Sequence, residues 1–384
     1  MTPKVTVLLA VRNGEPYIHE AVRSVLDQTF TDFELLVVDD ASTDATAEII
    51  EGFGDGRVRL LRNEQNLGQV PSLNRGLREA RGEYVARLDA DDVCRPTRLA
   101  REVEILDGDA RVGLVGTWME AIDERGRRLG HLRKDLTDYV DFVYHTLIMR
   151  VYVSHPSAMY RREPVLALGG YDEATGPAED KDLWRKLALE RYDARIVPEP
   201  LILYRLHDRQ LSQTRAAYQR QVDGASQDRF LAQLAPQAPA TAVRLLLAGH
   251  GAAWDHDPRE TLEGVDLVLE GARGRLVLDD EEARALNERI ALRLLEVANS
   301  RPWHPAARVI AAGAIARLPE DRRAAARRRR AAALIAAPML TGSRGAVRFA
   351  SDRTRSVPGV AALRARAKQS RLARLLYGKA VGSE

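Results

Sequence analysis

A single cysteine, Cys94, stands in 384 residues, which excludes an intramolecular disulfide framework and a cysteine-based zinc site. Placed beside a cluster of carboxylates, it reads as a small semi-buried filler and not as a nucleophile. Long apolar runs are also missing. The longest, AAALIAAPML at 331–340, falls far short of the ~20 residues that cross a bilayer, so no transmembrane helix is expected. The start, MTPKVTVLLAV, lacks a basic n-region and a small-residue cleavage site, and the expected location is cytoplasmic. No G-x-G-x-x-G follows the first apolar run, which disfavours a dinucleotide dehydrogenase.

What is present suits a folded chain with one large domain and a smaller one: 45% of residues are hydrophobic and 29% charged. The net charge of +3 conceals an asymmetry, because from Arg301 to Glu384 there are 19 Lys and Arg against 4 Asp and Glu. The body is therefore acidic and the tail basic, and the tail is expected to prefer an anionic partner. RRAAARRRR (322–330) and VAALRARAKQSRLARLLYG (360–378) have the make-up of basic amphipathic helices that lie on anionic lipid, with a solvated helical bundle as the alternative. The tail has almost no aromatic residues for base stacking and no reader motif, so nucleic acid is not an expected partner.

The first half alternates two periodicities. VTVLLAV (5–11), FELLVVD (33–39), VRLLR (58–62) and YVARLD (84–89) are short apolar runs. Helical spacing follows each, over 16–29, 44–53 and 69–81 and then from Pro96. This predicts a parallel sheet between helices, an arrangement whose ligands bind beyond the carboxyl ends of the strands. Arg12 and Asn13, Asp39 and Asp40, and Asp89, Asp91 and Asp92 all fall at that edge. Ser42 or Asp44 as a helix cap and Asp39 or Asp40 as a turn former are local alternatives. Two acidic clusters at one ligand-binding edge favour function. Mixed strand and hairpin material follows Val112, SHPSAMYRR (154–162) reads as a strand entered through a turn, and the chain from about Tyr218 is helical. The expected domains are 1–215, a helical extension 216–300, and the basic helical tail 301–384.

In order and spacing, VTVLLAVRNGEPYI, LLVVDDASTDAT, NLGQVPSLNRGLREARGEYVARLDADD, HPSAMYRR, AEDKDLW and YRLHDRQLS resemble the inverting family 2 glycosyltransferases of the GT-A fold, over residues 4–214. VVDD alone is a weak signal, LDADD after a strand a moderate one, and the ordered set a strong one. The resemblance implies an α/β GT-A fold with a mixed sheet and a C-terminal helical region. It implies a nucleoside diphosphate sugar donor, a glycan or lipid-linked hydroxyl acceptor, and a role in cell-surface polysaccharide or glycolipid assembly at the inner face of the membrane. A divalent cation, Mg2+ or Mn2+, is implied as cofactor, and oxygen ligands suit such an ion.

Residue by residue, the resemblance makes Asp91 a metal ligand, assigns Asp89 to the nucleotide, and leaves Asp92 open. Asp39 matches the position that binds the base, while Ala10, Arg12 and Glu15 fall where the first loop cups the nucleotide. Val11 and Arg12 replace the proline and tyrosine commoner there, so aromatic stacking on the base is in doubt. Asp180 aligns with the catalytic base, and His207 with a third metal ligand or phosphate donor. Helix capping by Glu179 and Asp180 is compatible with catalysis. His155 is expected to shape a loop bordering the acceptor, Trp184 to pack in the core, and Gly68 to make a turn. Competing readings are a receiver-like phosphoacceptor, which fails because the VVDD strand is second and no suitably placed lysine follows, and a non-catalytic nucleotide-sugar-binding protein of the same fold.

Overall fold

The computed structural model describes residues 2–341 apart from 151, 209 and 211–215, with 332 and 334–341 described by their backbone. The basic segment 360–378 and Leu211 and Ser212 of the sixth motif therefore lie outside the described residues. The chain divides into two compact units, one of residues 1–142 and 151–226, the other of 143–150 and the described part of 227–374.

The first unit is built on one mixed sheet. β1 (Val5–Val11), β2 (Phe33–Asp39), β3 (Val58–Arg62) and β4 (Tyr84–Arg87) run parallel in the order β3-β2-β1-β4. Their crossovers are α1 (Ile18–Leu26), α2 (Thr46–Glu51) and α3 (Gln69–Glu79). Continuous apolar runs give strands buried on both faces, and β2 is buried along its whole length. α3 presses close on β1: a Cβ on Gly76 would stand 2.2 Å from Leu8 Cδ1, so only glycine admits this approach. Past β4 the sheet turns antiparallel. β5 (Val93–Cys94) leads to α4 (Arg98–Gly108), then the hairpin β6 (Val112–Asp123) and β7 (Arg128–Leu132), α5 (Tyr139–Leu147), β8 (Met159–Arg161), α6 (Arg162–Ala167), α7 (Glu179–Leu189) and β9 (Asp193–Leu206). β8 inserts between β4 and β6, antiparallel to both, while β9 runs parallel to β6 and carries β5 at its edge.

β4 stops at Arg87, two residues short of the predicted end, because the Arg87 side chain turns to donate to Leu88 O and Asp89 Oδ1. The helix expected from Pro96 starts at Arg98. Cys94 is fully in the core, 5% exposed, with Arg98 Nη1 donating to its sulfur at 3.3 Å. Trp184 is core, as its spacing predicts.

α8 (Ala216–Leu234) begins the helical part of the chain, followed by α9 (Ala240–Ala248), α10 (Pro258–Arg275), α11 (Asp280–Ser300), α12 (Pro305–Arg317) and α13 (Glu320–Thr341). Side chains cap several of these helices. Asp257 accepts from Arg259 N and Glu260 N, and Asp279 forms a reciprocal box with Glu282. Leu286, Ile290, Leu294, Val265 and Ile310 are among the buried residues of α10–α12. On α13, Arg322, Arg327, Arg328 and Arg329 are exposed, whereas Arg330 is buried and donates to Ala298 O and Pro302 O.

Candidate active site

The parallel strands deliver their carboxyl ends to one edge. Val11 pairs with Asp39 in register, and Leu88 N donates to Leu8 O just beyond β4. The loops after β1 and β2 are tied together, with Ser42 Oγ accepting from Asn13 N, Asn13 Oδ1 from Thr43 N, and Thr46 Oγ1 from Gly14 N. Glu15 joins this lacing: its Oε2 accepts from Ala45 N at 3.3 Å and its N–H donates to Asp44 Oδ2. Ala10 is half-buried within β1 and Arg12 is exposed.

Asp39 and Asp40 have different tasks. Asp40 accepts from Asn63 Nδ2 and from the backbone N–H groups of Leu67 and Gly68, so it holds the loop after β3, where Gly68 has φ +96°. Asp39 is fully buried, its Oδ1 accepts from Ser42 N, and its Oδ2, without a hydrogen bond, lies 3.6 Å from Arg62 Nε. A buried carboxylate oxygen that lacks a hydrogen bond and meets only an exposed guanidinium at this distance is suited to an incoming N–H donor.

The three carboxylates after β4 are gathered: oxygen atoms of Asp89, Asp91 and Asp92 lie within 4.8 Å of one another. Arg87, fully buried, donates to Asp89 Oδ1 at 2.6 Å. Burial still pushes the Asp89 carboxyl above its usual range, against the opposing pull of Arg87. Asp92 is wholly buried, its Oδ1 takes the backbone N–H of Arg205 at 2.9 Å, and its Oδ2 is unpartnered. Desolvation, then the Asp91 and Asp89 charges, raises it well above a normal carboxylate. Asp91 meets His207, Oδ2 to Nε2, at 2.8 Å. This set of hard oxygens with one imidazole, carrying an orphaned oxygen and excess negative charge, fits a divalent cation.

The second acidic pair opens α7. Asp180 Oδ1 accepts from Lys181 N, and burial raises its carboxyl. Glu179 is 4% exposed, with Oε2 unpartnered, and is pushed up to about 7 by burial and then by the Asp180 charge. α7 is fixed from behind: Lys181 Nζ and Arg185 Nη2 both reach Asp223 of α8, at 2.6 and 2.5 Å. His155, at the turn before β8, is buried, with Nε2 2.9 Å from Tyr171 OH and Nδ1 3.8 Å from Glu179 Oε1. The charge of Arg87 is felt by both groups, since it interacts with Asp89 and also with Glu179, Tyr160 and Tyr171.

Arg87, Arg205 and Lys134 also belong to this region, although the sequence motifs assign them no role. Lys134 Nζ donates to Ser154 Oγ at 2.7 Å, and burial lowers its amine to about 7 while its charge acts on Asp180. An arginine closing the apolar run YVAR was the one available signal for Arg87, and nothing local marks Lys134.

Residues 6–169 match the family model described as Glycosyl transferase family 2. An uncharacterized glycosyltransferase of Methanocaldococcus jannaschii is 31% identical over 211 residues, covering 54% of this chain and 72% of the relative. The O-antigen biosynthesis glycosyltransferase WbnJ of Escherichia coli is 28% identical over 225 residues, covering 56% of this chain and 84% of the relative. Among solved structures, S. aureus TarS 1-349 in complex with UDP-GlcNAc superposes with a TM-score of 0.51 at 19% identity, covering 80% of this chain and 90% of that one. The mixed α/β sheet followed by helices is thus of the GT-A kind.

Proposed function

Because this chain belongs to glycosyl transferase family 2 and is a glycosyltransferase, we propose that it moves a sugar from a nucleoside diphosphate donor to a hydroxyl acceptor, with inversion. The observation that carries this reading is the gathering of Asp89, Asp91 and Asp92 after β4, with Glu179, beside Asp180, within electrostatic reach of both the buried Arg87 and Asp89. The first group suits a cation that would meet the donor's diphosphate, and the second suits a base for the acceptor hydroxyl.

In this reading Asp91 and His207 would hold a divalent cation, which would supply charge neutralisation for the departing diphosphate, and Asp89 contacts the nucleotide. Asp39 Oδ2 accepts an N–H of the base, and the laced loop of Ala10, Arg12 and Glu15 borders the nucleotide. Asp180 takes the proton of the acceptor hydroxyl. Its burial favours that proton, and the rigid α7 start keeps it in position. The nearby Glu179 is raised to about 7, by burial and then by the Asp180 charge.

The E. coli relative named for O-antigen biosynthesis supports an acceptor in cell-surface polysaccharide assembly. No helix among the described residues is long and apolar enough to cross a membrane. The exposed arginines of α13 support contact with anionic lipid, which would bring a lipid-linked acceptor within reach. Incubation with a panel of UDP- and GDP-sugars and Mn2+, with the product's anomeric configuration read by proton NMR, tests the reaction. A product of inverted configuration is expected; retention would overturn the single-displacement reading.

A further inference from the structure

Arg205, near the end of β9, is 2% exposed, and each part of it is engaged. Its backbone N–H donates to Asp92 Oδ1 at 2.9 Å, and its Nε donates to Asp91 O at 2.9 Å. Nη2 donates to Glu20 Oε2 of α1 at 2.5 Å, and Nη1 faces the carbonyls of Glu124 and Asp123 in the β6–β7 turn at 3.3 and 3.5 Å. The guanidinium lies over the Tyr17 ring, 4.7 Å from its centroid, and that ring lies 5.4 Å from the His207 imidazole. Gln210 Nε2 returns to Arg205 O at 2.5 Å.

The chemistry of a guanidinium explains why one residue makes all these connections. Its planar fork donates in three directions at once and its face stacks on an aromatic ring, neither of which an ammonium reproduces. The elements joined are far apart in sequence: α1, the Asp91–Asp92 turn, the β6–β7 turn and the strand leading to His207. The Asp91–Asp92 turn is acidic and would spread under its own repulsion. Arg205 fixes it through the main chain of Asp91 and the side chain of Asp92, leaving Asp91 Oδ2 facing His207.

We propose that Arg205 is a positioning residue that locks the Asp91–Asp92 turn against the strand bearing His207, and so sets how tightly this group binds a divalent cation together with a nucleoside diphosphate. The proposal rests on the reading of Asp91 as a cation ligand. Partners that orient a ligand through its second contacts typically change metal affinity by about 10- to 100-fold when removed.

The test measures Mn2+ affinity by the electron paramagnetic resonance of the free ion, in the presence of UDP and separately of GDP. Thermal unfolding is recorded alongside for the full chain and its Arg205→Lys, Glu20→Gln and Asp91→Asn variants. Glu20 is 57% exposed on α1, so Glu20→Gln is expected to unfold near the parent temperature and still bind Mn2+ several-fold more weakly. Arg205→Lys is expected to weaken binding by about 10-fold or more; should it not fold, Glu20→Gln decides. Parent-like affinity in both variants, with only the unfolding temperature lowered, would overturn the proposal, provided Asp91→Asn loses affinity. Parent-like affinity in Asp91→Asn would instead overturn the underlying assignment of the cation site.

Discussion

Asp91 and His207 meet with Oδ2 and Nε2 2.8 Å apart although 116 residues separate them. The contact joins the turn after β4 to the end of β9, and so depends on the whole sheet being assembled in the right order. A carboxylate and an imidazole at this distance are placed to hold one divalent cation between them.

His207→Ala is therefore expected to raise the Mn2+ concentration needed for half-maximal donor turnover by about 10-fold, and Asp91→Asn by more. A metal titration of the initial rate for each variant checks this, and unchanged half-saturation in His207→Ala would remove the imidazole from the site.

Lys134 provides a test of the base. Its positive charge favours the ionised form of Asp180, so replacing it with methionine raises the Asp180 carboxyl further. If Asp180 must be ionised to act, the acid limb of the kcat/KM profile moves to higher pH in Lys134→Met. The difference is expected mainly below pH 7, because the amine, lowered to about 7, is already losing its charge above that. An acid limb that stays in place would separate Asp180 from the rate.

Asp223 secures α7 by pairing with Lys181 and Arg185, and its side chain is 7% exposed. Removing one partner of a buried pair leaves the others uncompensated, so Asp223→Asn is expected to lose about 3 kcal/mol. Burial raises this carboxyl, but the two cations outweigh it and hold it below its ordinary value. A depressed folded-state value stabilises at pH above the unfolded carboxylate value of about 4 and is lost as pH falls through the folded one. Urea unfolding between pH 3 and pH 7 should therefore show the parent's advantage over Asp223→Asn shrinking at the acid end.

Much of the frame could be read directly from hydrophobic pattern. β1 and β2 occupy the residues whose runs predict them, because strands buried on both faces need unbroken apolar sequence, and β3 does so as a half-buried edge strand. The insertion of β8 between β4 and β6 could not be read, since three residues paired with strands dozens of positions away leave no local period. The two-residue β5 is equally silent. At the candidate site, the order of motifs placed Asp39 and Asp89 at one edge. The difference between Asp39 and Asp40 is set by which of them faces the β3 loop, a tertiary fact. The packing of Tyr171 and Trp184 around His155 is likewise a tertiary fact that no local pattern announces.

The arginines of α13 supply a further expectation. Replacing Arg327, Arg328 and Arg329 together by glutamine removes three exposed cations, each worth about 1 kcal/mol at an anionic surface. Co-sedimentation with phosphatidylglycerol vesicles should fall by more than tenfold, while binding to neutral vesicles stays low for both proteins. Equal sedimentation of parent and variant would dissociate this helix from lipid.

The central claim is that Asp180 removes the acceptor proton during metal-assisted transfer. It is tested most directly by nucleoside diphosphate release from the cognate sugar nucleotide with Mn2+, comparing the parent with Asp180→Asn. The account predicts release that EDTA abolishes and that the variant slows by about 10²- to 10⁴-fold, with donor binding retained. Undiminished release by Asp180→Asn would contradict it.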